Sequence, residues 1–394
     1  MPMPPTSSDS RTLAIVSSSR ADMAHLIHPI RALMESSLIE PVILPTGAVL
    51  QSEFGDSARR FHEEGFRVHP VPCDLQIEKG VDAAVAIGRA TIAFADAFES
   101  LRPDLLMVVA DRFEMLAPAN AALAMRIPIV HVEGGERSEG AIDDAVRNAL
   151  TKMSHLHLVT TEQARRRVLA MGEEAWRVHR VGAASLDHLV SSSIPDEEAL
   201  SNDLGFDPGI PMILAAIHPV TLAMDPGHDA RSLLEALERI PDETNSIMFA
   251  FPNADEGSFE IRNAVSRFVS GRRNAFMHTN LPPETWLGLL HRCDLVVGNS
   301  SSVLMESPSI PTPAVCIGER QAGRERACNV IDVEPDAESI LMAMERARTL
   351  ELDDIANPYG DGHASERIRR ALEEAPDRER LLHKSTTLLD HPKT

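Results

Sequence analysis

Acidic and basic residues gather where apolar runs of this chain come to an end. The run Leu105 to Ala110 gives way to Asp111-Arg112-Phe113-Glu114, a carboxylate and a guanidinium at the rim where a substrate would sit. An aspartate after a buried strand serves equally as a helix cap, so Asp111 has two readings. The run Ile127 to Val132 leads into Glu133-Gly134-Gly135-Glu136-Arg137. Paired glycines let backbone come close to a ligand, and Glu133 stands at the strand end beside them. Asp143 and Asp144 then open a helical stretch carrying Arg147. Acidic residues favour a helix N-terminus, which needs only one of the two, and Asp144 has the spacing of a helical ion pair with Arg147.

The second half repeats the pattern with different side chains. The run ending at Ile217 delivers His218-Pro219-Val220-Thr221, and an imidazolium there can donate to a phosphate oxygen. Asn253 lies in Pro252 to Gly257, which reads as a turn. The strongest local signal is Gly298-Asn299-Ser300-Ser301-Ser302, entering a helix that carries Glu306. Glycine permits a tight exit, and serine hydroxyls with helix amides form an anion cradle suited to a diphosphate. Glu306, one turn in, is placed to accept from ribose hydroxyls. An N-capped helix alone would need one serine. Arg320, Arg324 and Arg326 follow the next strand, and at least one is expected to face the phosphates.

These residues must be positioned by strands alternating with helices. Apolar runs at Thr12 to Val16, Pro41 to Leu44, Leu105 to Ala110 and Ile127 to Val132 alternate with helical patterns at Met23 to Met34, Ala83 to Phe98 and Ala117 to Met125. After a polar stretch from Ser191 to Pro211 the alternation restarts at Met212 to Ile217 and continues through Ser246 to Phe251, Ala275 to Met277, Leu295 to Gly298, Ala314 to Ile317 and Val330 to Val333. The pattern predicts an α/β chain with two parallel sheets, whose ligands bind at the carboxyl ends of the strands. The expected division is a disordered tail at 1–11, an N-terminal domain at 12–195, a C-terminal domain at 205–365, and a helix and tail at 366–394.

Bulk properties agree with two folded domains and exclude several functions. The 394 residues exceed what one core usually serves. Against 59 acidic residues stand 38 basic ones, and the formal charge of −21 repels nucleic acid and anionic lipid. No apolar run approaches the ~18 residues of a membrane span, and a cytoplasmic location is expected. His155 and His157 read as structural. Cys73, Cys293, Cys316 and Cys328 lack metal-site spacing and read as buried thiols.

Taken together, these stretches resemble the hydrolysing UDP-N-acetylglucosamine 2-epimerases of sialic-acid-type biosynthesis. The likeness runs from Ala14 to about Ala371. It is carried in order by Ser19-Arg20-Ala21-Asp22, Asp111 to Glu114, Glu133 to Glu136, Gly140 to Asp144, Thr151 to His155, His218 to Thr221, Gly298 to Ser301 and Asn357-Pro358-Tyr359-Gly360-Asp361-Gly362. The resemblance implies a glycosyltransferase-B type fold, with two Rossmann-like domains facing across a cleft that holds a UDP-sugar. It puts Asp111, Glu133 and Asp143 on the catalytic carboxylates and His218 beside the leaving phosphate. Arg20, Arg112, Asn253, Ser300, Ser301, Glu306 and Arg320 fall on nucleotide-sugar contacts, with Arg147 and Ser302 taken as further substrate contacts. No cofactor or metal is expected, nor a nucleic-acid or membrane partner, and the expected assembly is a homo-oligomer, a dimer or a tetramer. Ala24, Asn148 and Phe259 depart from residues common among relatives and leave the sugar open.

C2 of such a sugar has no neighbouring carbonyl, so its proton becomes removable only as the anomeric bond to UDP breaks. The route implied by the resemblance is elimination of UDP to a 2-acetamidoglycal, water addition at C1 and protonation of C2 from the opposite face. A glycosyltransferase would use the serine cradle without needing the carboxylates of the other domain. A non-hydrolysing epimerase is less similar between Gly140 and Asp144, and a catalytically dead nucleotide-sugar sensor would not need the carboxylate set.

Overall fold

The structure, a computed structural model, describes residues 10–19, 22–50, 57–73, 80–137, 143–191, 194–205, 211–220, 223–251, 258–279 and 281–387. The chain divides into two compact units. The first comprises Met1–Glu136, Ile142–Asp187 and Gly362–Thr394, and the second Arg137–Ala141 and His188–Asp361.

In the first unit, β1 (Arg11–Ser17), β2 (Ile39–Pro45), β3 (Leu105–Val109), β4 (Ile129–Val132), β5 (Leu156–Val159) and β6 (Val178–Arg180) form a parallel sheet in the order β2-β1-β3-β4-β5-β6. Successive residues of these strands bury opposite faces. Leu13 and Ile15 pack with Leu26, Ile30 and Leu33 of the helix Asp22–Met34, whereas Ala14 and Val16 pack with Phe94 and Phe98 of the helix Gly80–Leu101. Burial on both faces is why these strands read as unbroken apolar runs instead of alternating ones.

The second unit contains β7 (Met212–Ala216), β8 (Ser246–Phe251), β9 (Ala275–Thr279), β10 (Leu295–Gly298), β11 (Ala314–Ile317) and β12 (Val330–Val333), again parallel, in the order β12-β11-β10-β7-β8-β9. Strand order reverses between β1 and β3 in the first sheet and between β7 and β10 in the second. In sheets of this kind the crevice at such a reversal, beyond the strand carboxyl ends, is where ligands bind. No helix among the described residues is long and apolar enough to cross a membrane.

The C-terminal stretch, for which a helix and tail were expected at 366–394, packs on the first unit. The helix Ala364–Glu373 lays Ile368 and Leu372 into the core of the first unit. Arg11 caps its end by donating to the carbonyls of Leu372, Ala375 (3.1 Å) and Pro376 (3.3 Å). Asp187 accepts from the amides of Ala364 (2.8 Å) and Ser365 (2.6 Å), so the last residue before the chain leaves this unit caps the helix on which it returns. A further short helix, Arg378–Leu382, is held by fully buried Arg177, which donates to Leu381 O (2.9 Å) and His383 O (2.8 Å). The segment after Glu373 is therefore anchored by hydrogen bonds as far as Thr387, although most of its residues are exposed.

The same region accounts for His155 and His157, both buried and structural. Glu173, buried, accepts from Lys152 (2.6 Å), His157 (3.1 Å) and Lys384 (2.7 Å). Burial opposes ionisation of Glu173, but these hydrogen bonds outweigh it and bring the carboxyl down to about 2. Cys293 and Cys316 are the expected buried thiols, with burial pushing Cys316 up to about 12. Cys73 is half-buried and Cys328 exposed, contrary to expectation, because Cys328 stands in a loop before β12 instead of on a strand.

Glu173→Ala leaves the partly buried Lys384 ammonium and the buried His157 ring without their acceptor and is expected to cost about 3 kcal/mol of unfolding free energy at neutral pH. Because the folded pKa lies below the ordinary 4.5, the stabilisation is complete above that value and is lost as pH falls through about 2. Denaturant unfolding of both proteins at pH 7 and pH 3 checks this. Identical midpoints at pH 7 would contradict it.

Candidate active site

The carboxyl edge of the first sheet is shaped by two non-glycine residues in left-handed conformation, Ala110 (φ 56°) after β3 and Glu133 (φ 64°) after β4. Such residues persist where surroundings over-determine them. The determining group here is His131, fully buried on β4. Burial pushes its imidazole down to about 4, so the neutral ring donates through Nε2 to Ala110 O at 2.8 Å. Nδ1 lies 3.2 Å from Thr151 Oγ1, on the helix Asp143–Met153. One ring thus ties together the segments carrying Asp111, Glu133 and Asp143.

Arg147 does the same with charge. It is 2% exposed, and its guanidinium donates to Asp111, to Asp144 Oδ1 (3.1 Å) and to Glu136 O (2.9 Å). The helical pair anticipated between Asp144 and Arg147 is present, and the same arginine reaches across to Asp111. Asp111 makes this ion pair and caps no helix; Arg112 stands at the N-cap of the following turn and pairs with Glu114 at 2.6 Å. Glu133 Oε1 accepts from His25 Nδ1 at 2.8 Å. Asp143 is the first residue of its helix, next to Asp144.

The glycines after Glu133 serve the protein's own packing. A Cβ on Gly134 would come 2.9 Å from His131 Nδ1, and one on Gly135 (φ 80°) 2.4 Å from Ala164 O. Close approach is required, as the sequence suggested, but to His131 and a helix of the same unit. Asp22 similarly closes the loop after β1, accepting from the amides of Ser18 (2.7 Å) and Ser19 (2.9 Å).

In the second unit the candidate residues meet at the β7/β10 reversal. Gly298 pairs with Ala216 and has φ 147°; a Cβ there would lie 1.9 Å from Ala216 O. The amides of Asn299 (3.1 Å) and Ser300 (3.2 Å) both turn onto that carbonyl, which sends the serines over the strand end. The helix that follows, Ser302–Met305, is one turn, and Ser301 as its N-cap makes no side-chain cap. So short a helix adds little dipole, and Glu306 is its C-cap, not a residue one turn in. What this turn presents is therefore the serines Ser300, Ser301 and Ser302 and the nearby Arg320, with little from helix amides. Glu306 is buried and takes a hydrogen bond from Trp286 Nε1.

Of the loop arginines, Arg326 is spent on Asp332, at 2.9 to 3.1 Å. Arg320 donates to Asn299 O at 2.9 Å and lies close enough to His218 to act on its charge. Burial, aided by Arg320, pushes His218 down to about 3. The imidazolium expected at neutral pH is thus corrected: the resting ring is neutral and offers a donor N–H without a charge.

Arg20, Asn253, Thr221 and the stretch 138–142 lie outside the described residues. The motif Asn357 to Gly362 is a brace. Asn357 Nδ2 donates to Met305 O and Ser309 Oγ, each at 2.7 Å, and Tyr359, buried, donates to Glu325 O at 3.0 Å. Sequence reasoning missed His25, Asp229, Trp286 and Gln321, which sit in ordinary helical or loop contexts with no spacing to mark them. Among the described residues no group of three or more His, Cys, Asp or Glu is placed to hold a metal ion.

Two doubly wound parallel sheets, one edged with carboxylates and the other with a glycine–serine turn, define a nucleotide-sugar enzyme of glycosyltransferase-B type. The chain belongs to the UDP-N-acetylglucosamine 2-epimerase family, whose profile it matches over residues 31–373. It is 32% identical to a UDP-N,N'-diacetylbacillosamine 2-epimerase (hydrolyzing) of Legionella pneumophila, over 95% of this chain and 98% of that protein. It is 34% identical to a GDP/UDP-N,N'-diacetylbacillosamine 2-epimerase (hydrolyzing) of Campylobacter jejuni, over 82% of this chain and 84% of that one. The fold is shared with the Methanocaldococcus jannaschii UDP-GlcNAc 2-epimerase solved with UDP-GlcNAc and UDP, with TM-score 0.75 at 20% identity, covering 92% of this chain and 100% of that chain.

If burial and Arg320 hold His218 neutral, its ring in the ligand-free protein is expected to show no protonation between pH 8 and pH 5. Nitrogen-15 NMR of the histidines checks this. An inflection near 6.5 assigned to His218 would contradict it.

Proposed function

We propose that the chain is a hydrolysing 2-epimerase that converts a UDP-2-acetamido sugar and water into UDP and the free 2-epimer. The observation that carries this reading is the gathering of Asp111, Glu133 and the Asp143–Asp144 pair around one buried arginine and one buried histidine. Carboxylates held this way suit a reaction that takes a proton from one face of C2 and returns one to the other. In the proposed sequence one carboxylate accepts the C2 proton as the C1–O bond to UDP breaks, leaving a 2-acetamidoglycal. Water then adds its oxygen to C1, and a second group protonates C2 from the opposite face. A carboxylate facing the developing positive charge at C1 stabilises the transition state.

The second unit is assigned the leaving group. His218 donates its N–H to the departing diphosphate, Arg320 supplies the positive charge, and the hydroxyls of Ser300, Ser301 and Ser302 complete the cradle. Arg20 and Asn253 remain proposed contacts to the nucleotide sugar, with Arg112 and Glu306. Arg147, engaged by Asp111 and Asp144, is proposed to act on substrate through those carboxylates.

The substrate favoured is UDP-N,N'-diacetylbacillosamine, a 2,4-diacetamido sugar, because the Legionella and Campylobacter proteins named for it match at 32% and 34% identity. UDP-N-acetylglucosamine is the second reading, favoured by a 29% identical Neisseria meningitidis protein named for that activity.

Incubation with each UDP-sugar in ¹⁸O-water tests the reaction. The expected products are UDP without ¹⁸O and a free 2-epimer with ¹⁸O at C1, read early because a reducing sugar exchanges that oxygen slowly. A UDP-linked 2-epimer with no free sugar would establish the non-hydrolysing reaction instead. Asp143→Asn keeps a residue able to begin the helix and is expected to lower turnover about 100-fold or more with UDP affinity little changed. Turnover near that of the parent enzyme would return Asp143 to a structural role.

A further inference from the structure

His218 stands just past the end of β7, where the sheet no longer holds it. The last ladder pair on this side is Ala216 with Gly298. One residue further along, the side chain of Asn299 takes over the work of a neighbouring strand. Its Oδ1 accepts the His218 amide at 2.7 Å and its Nδ2 donates to His218 O at 3.0 Å. Both main-chain groups of His218 are thereby held by one carboxamide.

The orientation of that carboxamide is set by a buried acid. Asn299 Nδ2 also donates to Asp229 Oδ2 at 3.0 Å. An ionised carboxylate only accepts, so a reversed amide would face oxygen to oxygen at Asp229 and at His218 O, and NH₂ to N–H at the His218 amide. Asp229 is in the first turn of the helix His228–Glu238, a place where acids normally sit in solvent and favour the helix N-terminus. Here it is 6% exposed. Room for it is made by Gly318 (φ 67°), where a Cβ would come 2.8 Å from Oδ2. Burial raises the Asp229 carboxyl above the ordinary range, against the Asn299 hydrogen bond, and Arg320 is among the nearby charges. A helix start has no need of such an arrangement.

Asn299 also holds the cation. Its carbonyl accepts from Arg320 Nη1 and from Gln321 Nε2, each at 2.9 Å. The histidine and the arginine assigned to the leaving diphosphate are thus fixed to one residue, the histidine by its side chain and the arginine by its backbone. We propose that Asp229, acting through the Asn299 carboxamide, is the positioning residue for His218 and, with it, for Arg320. The inference rests on the reading of His218 as the donor to the leaving group. Asp229 itself touches neither substrate nor the reacting atoms.

The test is a double-mutant cycle between Asp229 and His218, with kcat, KM and thermal unfolding measured for each protein. Asp229→Ala is expected to lower kcat about tenfold with a smaller change in KM, and Asp229→Asn to lower it less, because the amide keeps an acceptor oxygen. In the His218→Ala background either Asp229 variant is expected to cost twofold or less, since the group being positioned is already gone. Losses that multiply in full across the two backgrounds, or full turnover in both Asp229 variants, would overturn the positioning role. Asp229→Asn keeps the size of the side chain and decides the matter if Asp229→Ala does not fold. A His218→Ala single variant with undiminished turnover would overturn the underlying reading of the site, and it is recognised without any Asp229 variant.

Discussion

A guanidinium removed from water must be paired, and Arg147 is the charge on which the carboxylate edge of the first unit depends. At 2% exposure it meets Asp111, Asp144 and the carbonyl of Glu136, which belong to three separate segments of chain. Taking away one partner of a buried pair leaves an uncompensated charge at a cost of about 3–5 kcal/mol. These segments are therefore free to move only together. His131 adds a neutral tie between Ala110 and Thr151, and the strained backbone at Ala110 and Glu133 is held from both sides. Groups that must lie on opposite faces of one sugar carbon need such fixed spacing, because a misplaced acid–base group forfeits much of its advantage.

The second unit meets its own constraint through close backbone approach and a side-chain amide. Gly298 brings β10 so close to Ala216 that no other residue fits, and Asn299 uses that proximity to hold His218 and Arg320. Both clusters stand at the carboxyl edges of parallel strands, and the His218 cluster lies directly at a strand-order reversal. Division of labour follows from chemistry. In the proposed reaction proton transfer falls to carboxylates with defined partners, while the departing diphosphate is assigned the N–H and O–H donors and the cation of the turn after β10 and the loop after β11.

Much of this was legible in the sequence because parallel strands buried on both faces leave continuous apolar runs, such as Leu295 to Gly298 and Ala314 to Ile317, whose ends point to the site. Asp111, Glu133 and His218 stood out for that reason, and Asp143 because it opens a helix. The helix Ala364–Glu373 was placed but its destination was not, since the residues it buries, Ala364, Ile368, Ala371 and Leu372, reveal an apolar face without saying which sheet it covers. The polar composition after Glu373 hid an anchored segment because its anchors, Arg177 and Glu173, lie some 200 residues earlier in the chain. Asp229 was illegible for the opposite reason: an acid opening a helix is so common that only the three-dimensional approach of Asn299 and Gly318 distinguishes it. The charge state of His218 depends on burial and on Arg320, neither of which can be read from spacing.

In the proposed reaction this chain's carboxylates remove the C2 proton of a UDP-sugar and return another to the opposite face. Running the reaction in ²H₂O and reading C2 of the released sugar by ¹H NMR tests it most directly. One deuterium is expected at C2, with that centre inverted, because the proton taken up by the base exchanges with solvent before the opposite-face donor acts. Released sugar that keeps its C2 protium and its original configuration would contradict the account and make the enzyme a simple glycosyl hydrolase.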